Sequence, residues 1–278
     1  MRELKEYEKI ERSIIKTYRK ELWAPFICAV KDYCLVQEGD KIAVCISGGK
    51  DSMLLAKLMQ KLQEVSEVNF ELVFLVMDPG YNPKNRKKIE DNAKKLNVPI
   101  TIFTSNIFET TQSVPKSPCY LCARMRRGYL YAKAKELGCN KIALGHHKSD
   151  VIETTLMSVL YSGQLQAMPP MLKSKNFEGM SLIRPMYCIL EKDIIKWKNH
   201  NNLSFIACAC PMLEKNSLNE MNSSRLETKN LIESLKDKIP EVEQHIFQSI
   251  HNVQLDTFVE YKQKGEKHSF LENFNIKK

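Results

Sequence analysis

Ser47-Gly48-Gly49-Lys50-Asp51-Ser52 decides how the rest of the chain is read. The stretch follows Lys41-Ile42-Ala43-Val44-Cys45-Ile46, an apolar, β-prone run, and precedes Met53-Leu54-Leu55-Ala56-Lys57-Leu58-Met59, which reads as a helix. A small, polar, glycine-bearing turn therefore joins a buried strand to a helix start. Two adjacent glycines let the backbone adopt positive φ and come close to a ligand. The first N–H groups of a helix have no intrahelical partners, and an oxyanion held there gains hydrogen bonds and the favourable field of the helix dipole. Ser47 and Ser52 add hydroxyls and Lys50 a point charge. The mononucleotide-binding loop has a Gly, four residues and then Gly-Lys-Ser/Thr. Here the Gly-Gly pair stands directly before Lys-Asp-Ser, so the stretch is not that loop. The bland alternative is a βα turn with two convenient glycines.

Outward from this loop, strands and helices alternate. Residues 3–35 predict one or two helices, with Ile10, Ile14, Tyr18 and Leu22 at four-residue spacing and Pro25 ending or kinking the first. Glu38-Gly39-Asp40 is a turn into the first strand. Residues 70–77 read as a second buried strand, with Asp78 at its carboxyl end, where ligands bind in open parallel sheets. Asn82-Pro83 is a cap followed by a first-turn proline, opening a helix to about residue 96. A third strand at 98–103, a loop at 104–118, a basic helix over 120–137 stopped by Gly138, a fourth strand at 141–145 and a helix at 150–160 follow. This rhythm predicts an α/β fold: a mostly parallel, doubly wound sheet with helices on both faces. Beyond it lie a Met168-Pro169-Pro170-Met171 corner, the segment Leu182-Ile183-Arg184-Pro185 and a helix near 190–200. From about residue 215 the chain reads as two helices divided near Pro240, with a polar, loosely ordered end. The expected organisation is an N-terminal helical segment (1–36), a nucleotide-binding domain (37–212) and a C-terminal helical extension (213–278).

The net charge of +9, from 42 Lys and Arg against 33 Asp and Glu, favours a polyanionic partner such as nucleic acid. No apolar run approaches the roughly 20 residues of a membrane span, and the charged start Met1-Arg2-Glu3-Leu4-Lys5-Glu6 has no signal-peptide core behind it. The expected location is the cytoplasm. Nine cysteines in a reducing compartment are not a disulfide framework. Cys28, Cys45 and Cys139 read as buried small apolar residues; those at short spacing need another account.

Cys119 and Cys122 form a Cys-x-x-Cys at the start of the basic helix, where thiolate, the metal-binding form, is favoured. Further thiols come from Cys208-Ala209-Cys210, after the apolar run Leu203-Ser204-Phe205-Ile206. A redox dithiol, a four-cysteine zinc shell and an iron–sulfur cluster all compete, against four incidental cysteines.

Four features taken together resemble the tRNA 2-thiocytidine synthetases of the ATP pyrophosphatase superfamily. They are Ser47–Ser52, Cys119-Tyr120-Leu121-Cys122-Ala123-Arg124-Met125-Arg126-Arg127-Gly128, Ala143-Leu144-Gly145-His146-His147-Lys148-Ser149-Asp150, and the Met-Pro-Pro corner. The similarity runs over about residues 10–212. It implies an ATP-binding fold that adenylates a tRNA base oxygen and releases pyrophosphate. It also implies a [4Fe–4S] cluster on three cysteines, Mg2+ with the nucleotide, and replacement of the activated oxygen by sulfur from a cysteine desulfurase or sulfide. The base would be a cytidine of the anticodon loop. Cys119 and Cys122 map onto the first two cluster ligands; the third is open between Cys208 and Cys210, with Cys210-Pro211 favouring Cys210. A homodimer is left open. Uridine thiolation, an amide-forming ligase of the same superfamily, and a zinc-stapled RNA-binding module without catalysis are the rival readings.

The same resemblance marks Ser47, Gly48, Gly49, Lys50, Asp51, Ser52, Asp78, Gly145 and His146 as nucleotide-contacting positions, and Asp51, Asp150 and Arg126 as catalytic. Ser149 replaces the first acid of the family's Gly-His-x-x-Asp-Asp pattern, which casts doubt on any role needing two carboxylates there. Helix N-capping is the alternative for Asp150, an RNA contact or solvated basic face for Arg126, packing for His146, and an ordinary turn for Asp78.

Overall fold

In the computed structural model, residues 3–105, 107, 118–206 and 221–274 are described. The predicted loop at 104–118 falls mostly outside them. β1 (Lys41–Ile46), β2 (Glu71–Asp78), β3 (Ile100–Thr104), β4 (Lys141–Ala143) and β6 (Ser181–Ile183) are parallel, and β5 (Met171–Lys173) closes one edge antiparallel to β6. The order across the sheet is β3-β2-β1-β4-β6-β5. From β1 the chain moves to β2 and β3 on one side, then returns to β4 on the other. The carboxyl ends of β1 and β4 therefore flank a topological switch point, where open α/β sheets bind ligands. β1 is buried from Ile42 to Ile46, as its unbroken apolar run requires of a strand covered on both faces.

One face of the sheet packs against α3 (Lys50–Val65), α4 (Pro83–Lys95), α7 (Glu191–His200) and the N-terminal helices. The other carries α5 (Pro118–Glu136), through Tyr131 and Ala134. α6 (Lys148–Ser162) follows β4. α8 (Met221–Lys236) and α9 (Val242–Ser249) share a separate apolar cluster with it, in which Val151 and Ile152 meet Ile232, Val242 and Phe247. Asn82 accepts the Asn85 N–H at 2.7 Å and caps α4 as expected, and Gly138 takes φ +76° just beyond α5. No helix among the described residues is long and apolar enough to cross a membrane.

Four expectations are corrected. Cys28 is exposed on the N-terminal helices, while Cys45 and Cys139 are buried as expected. The N-terminal break is not at Pro25: α1 (Glu6–Arg12) runs into π-helical turns at Ser13–Thr17 and Arg19–Trp23, divided at Tyr18 (φ −104°, ψ 28°). Pro25 falls in the first turn of α2 (Ala24–Asp32), where its missing N–H costs little. The segments at 171–173 and 181–183 are strands too short to show periodicity; buried Arg184, just past β6, donates to Pro169 O and holds the Met-Pro-Pro corner. The C-terminal part is not wholly helical. β7 (Glu260–Gln263) and β8 (Glu266–Ser269) form a hairpin turned by Lys264 and Gly265, both at positive φ, as two-residue hairpin turns require. Its strands are polar and mostly exposed, which hides them from a hydrophobic pattern.

The amino ends of β1 and β4 are tied by a buried ion pair. Lys141 Nζ donates to Asp40 Oδ2 at 2.6 Å and to Leu35 O at 3.0 Å, while Asn140 Nδ2 reaches Asp40 Oδ1 at 2.7 Å. Removing one partner strands a buried charge. Lys141→Met is expected to lower unfolding free energy by about 3–5 kcal/mol, with partial recovery in the Asp40→Asn/Lys141→Met double variant, read from denaturant midpoints.

Candidate active site at the switch point

Gly48 holds φ +85°, and a Cβ there would stand 2.6 Å from Ile89 Cγ1 and 2.7 Å from Ile206 Cδ1. Gly49 is the N-cap of α3, so no side chain covers the first-turn N–H groups. Ser52 folds the loop onto this turn: its hydroxyl accepts from Ser47 N at 3.1 Å and donates to Gly49 O at 3.0 Å. From the other side of the switch point, the chain leaving β4 passes so close that a Cβ on Gly145 would lie 3.1 Å from Ser52 N and 3.2 Å from Asp51 C.

Between these elements lies a cleft of about 300 Å³. Ser47, Asp51, Ser52, Gly145, His146 and Asp150 form its polar wall, Met77 and Tyr81 line the β2 side, and Arg126 and Leu130 of α5 line the remainder. Asp51 Oδ1 and His146 Nδ1 are enclosed there without a hydrogen bond. Burial holds the His146 imidazole down at about 4, against the pull of Asp150 and with the help of Arg184, His147 and Arg225. His147 is the N-cap of α6. Its Nδ1 accepts the Asp150 N–H at 3.3 Å, and Asp150 Oδ2 accepts the His147 N–H at 2.9 Å. Its Nε2 faces Asp51 Oδ1 at 3.8 Å. Burial opposes ionisation of Asp150, but His147, Arg225 and the His147 N–H outweigh it and hold the carboxyl below its usual range.

Two predicted residues are placed elsewhere. Lys50 turns away from this cleft into a neighbouring cavity of about 390 Å³, pairing with Asp51 Oδ2 at 3.2 Å and Glu191 Oε1 at 3.0 Å. Burial lowers its pKa, but the two carboxylates raise it further, so the charge is locked on. Asp78 accepts from Gly80 N, Tyr81 N and Arg86 at 2.7–3.1 Å, so its carboxylate shapes the turn that sets Tyr81 in the cleft. Cys119 and Cys122 stand on the first two turns of α5, seven and four residues before Arg126. Cys208 and Cys210 lie outside the described residues. The described chain before them reaches Ile206, packed on Gly48.

The PP-loop domain family matches residues 8–211. The tRNA-cytidine(32) 2-sulfurtransferase of Pelobacter propionicus is 35% identical over 228 residues, covering 81% of this chain and 82% of that protein. The chain belongs to the PP-loop tRNA-cytidine(32) 2-sulfurtransferase family. The Neisseria meningitidis serogroup C relative of the same name is 38% identical over 200 residues, covering 69% of this chain; this chain spans 62% of its length. A U34-tRNA thiolase from Methanococcus maripaludis, solved with its [4Fe-4S] cluster, shares the fold at TM-score 0.65 and 19% identity, covering 84% of this chain and 79% of that one.

Reading the sequence missed Tyr81, Leu130 and Glu191, and gave His147 a packing or nucleotide-contact role but not its role as helix cap. His147-Lys148-Ser149-Asp150 is a capping box with histidine where serine or threonine is usual, so only the spacing marked it. Ser149, in the place of the family's first acid, accepts the Glu191 N–H at 3.1 Å and so fixes the start of α7.

A histidine enclosed in its neutral form disfavours protonation of the folded state. The native chain stays unprotonated at His146 while the unfolded chain takes up a proton near 6.5, so this group's stability contribution falls as pH drops from about 6.5 to 4. NMR titration is expected to show the His146 ring titrating near 4; a midpoint near 6.5 contradicts the enclosure.

Proposed function

We propose that this chain is a cytoplasmic, ATP-dependent tRNA 2-sulfurtransferase that converts a cytidine of the anticodon loop to 2-thiocytidine. The observation that carries the reading is the convergence of the uncapped start of α3, Gly145 at the tail of β4 and Arg126 of α5 on one cleft. Gly48 lets the loop pack against Ile89 and Ile206, and Gly145 lets the tail of β4 pack against the first turn of α3, so the N–H groups at that turn stay at the wall of the cleft, where an oxyanion is favoured. The first-turn N–H groups of α3, with Ser47 and Ser52, hold the pyrophosphate end of ATP. The base O2 attacks the α-phosphate and pyrophosphate leaves, which turns a poor leaving oxygen into an AMP ester. Arg126, which lines the same cleft as Asp51 and Asp150, neutralises charge gathering on the transferring phosphoryl group. Asp51 Oδ1, enclosed without a hydrogen bond, fits a Mg2+ that accompanies the nucleotide, since such ions take one or two carboxylates together with phosphates. A sulfur nucleophile then attacks C2, the C2–O bond breaks, and AMP departs.

Cys119 and Cys122, at a helix start that favours thiolates, fit two ligands of a [4Fe–4S] cluster. Ile206, packed on Gly48, precedes Cys208 by two residues and Cys210 by four, and one of these would be the third ligand. When bound, a three-thiolate cluster supplies an iron without a protein ligand, suited to holding sulfide from a cysteine desulfurase or from solution. The net charge of +9 supports binding of the tRNA backbone, which should weaken steeply with salt.

The test is anaerobic purification, iron and sulfide analysis, and mass spectrometry of nucleosides from tRNA incubated with ATP and sulfide. The expected result is about stoichiometric cluster and new 2-thiocytidine, with loss of product by about a hundredfold or more in Asp51→Ala. A colourless protein with stoichiometric zinc, or undiminished thiolation in Asp51→Ala/Ser52→Ala, overturns the reading.

A further inference from the structure

α8 lies outside the residues matched by the PP-loop domain, yet two of its side chains reach the charges of the loop. Arg225 Nε donates to Glu153 Oε2 at 2.7 Å, and its Nη2 donates to Asp150 Oδ1. Lys229, one turn further on, donates to Glu191 Oε2 at 2.7 Å. The other Glu191 oxygen takes Lys50, which also meets Asp51. His147 stands between Asp51 and Asp150. The contacts close a circuit: it leaves α8 at Arg225, passes Asp150, His147, Asp51, Lys50 and Glu191, and returns at Lys229.

Isolated surface pairs contribute little. These differ in three respects. The Asp150 and Glu191 side chains are only 14% and 21% exposed, so water screens them weakly. Each carboxylate is shared between partners on different elements, so moving α8 unbalances both. And α8 is anchored by Ile232 in the apolar cluster on α6, which holds its two cations in register.

We propose that Arg225 and Lys229 are positioning residues: through Asp150 and through Glu191–Lys50 they set the orientation of Asp51 and the first turn of α3. The proposal rests on reading the switch-point cleft as the nucleotide site. Without Lys229, Lys50 is the one cation left paired with Glu191 among the described residues, and Glu191 draws it from Asp51. Without Arg225, Asp150 and Glu153 face each other with no cation between them. In either case the carboxylate that accompanies the nucleotide is left free to rotate. The cleft is therefore assembled only when α8 is docked.

The test uses the full-length, cluster-loaded protein, with tRNA thiolation kinetics and calorimetry of a non-hydrolysable ATP analogue. Lys229→Met and Arg225→Met are expected to lower kcat about tenfold while KM for tRNA stays within about twofold, as misplacement of a reacting group does. Lys229→Arg should recover most of its loss, because charge and reach are kept, and Arg225→Lys should recover part, because the charge is kept but the fork onto Glu153 and Asp150 is not. Glu191→Gln combined with Lys229→Met should be no worse than either alone, as members of one circuit behave. Asn230→Ala, exposed on the same helix, should match the wild type. Wild-type kcat in both methionine variants overturns the proposal, and so does a loss that the conservative variants do not recover or that adds fully in the double variant. A wild-type protein that neither binds the analogue nor thiolates tRNA instead removes the reading of the cleft itself.

Discussion

A side chain at Gly145 would crowd the backbone of the first turn of α3. An added Cβ would sit 3.1–3.3 Å from Ser52 N, Asp51 C and Asp51 O. This backbone-to-backbone approach across the switch point is the constraint on which the rest of the site depends. It brings the tail of β4 against the phosphate loop, so His146 faces the loop's cleft, His147 faces Asp51, and Asp150 follows within the same cavity. Gly48 makes the equivalent approach on the other side, against Ile89 and Ile206, and its positive φ turns the loop. The sheet supplies the frame: β1 and β4 are paired in parallel, and their amino ends are locked by Asp40, Asn140 and Lys141. Rigid strand ends thus present two closely packed glycine turns in fixed relation.

Charge is managed around the cleft as much as within it. Arg126 brings a cation to its lining from α5, while Lys50 is held behind Asp51 by Glu191. Glu191 itself is held down at about 2, because Lys229 and Lys50 outweigh the opposing effect of burial. His146 is kept neutral, so the wall beside the loop presents an imidazole and not a second positive charge. The carboxylates of Asp51 and Asp150 are neighbours joined through His147, an arrangement that needs compensating cations from outside. Those cations come from a helix more than seventy residues later in the chain, which ties the C-terminal part of the protein to the chemistry at the loop.

Much of this was legible in the residues. The loop at 47–52, the strand–helix rhythm from β1 to α6, the Asn82-Pro83 cap and the Gly138 stop all depend on local chemistry and stand where expected. The placements of Asp51, Ser52, Gly145, His146, Asp150 and Arg126 in one cavity follow from that topology. What escaped was non-local or unpatterned. Three-residue strands and a polar hairpin carry no hydrophobic period. The direction of the Lys50 side chain is decided by Glu191, 141 residues away, and the carboxylate of Asp78 is occupied by its own turn and by Arg86. The Arg225–Asp150 pair joins residues 75 apart with no motif at the α8 end.

The central claim is that one cleft serves both adenylation and sulfur delivery. It is tested most directly by pulsed electron–nuclear spectroscopy on the anaerobically loaded, reduced protein with a non-hydrolysable ATP analogue bound. A resolved phosphorus coupling between the iron–sulfur centre and the nucleotide is the predicted result. Its absence, with cluster and nucleotide both confirmed in place, contradicts the account.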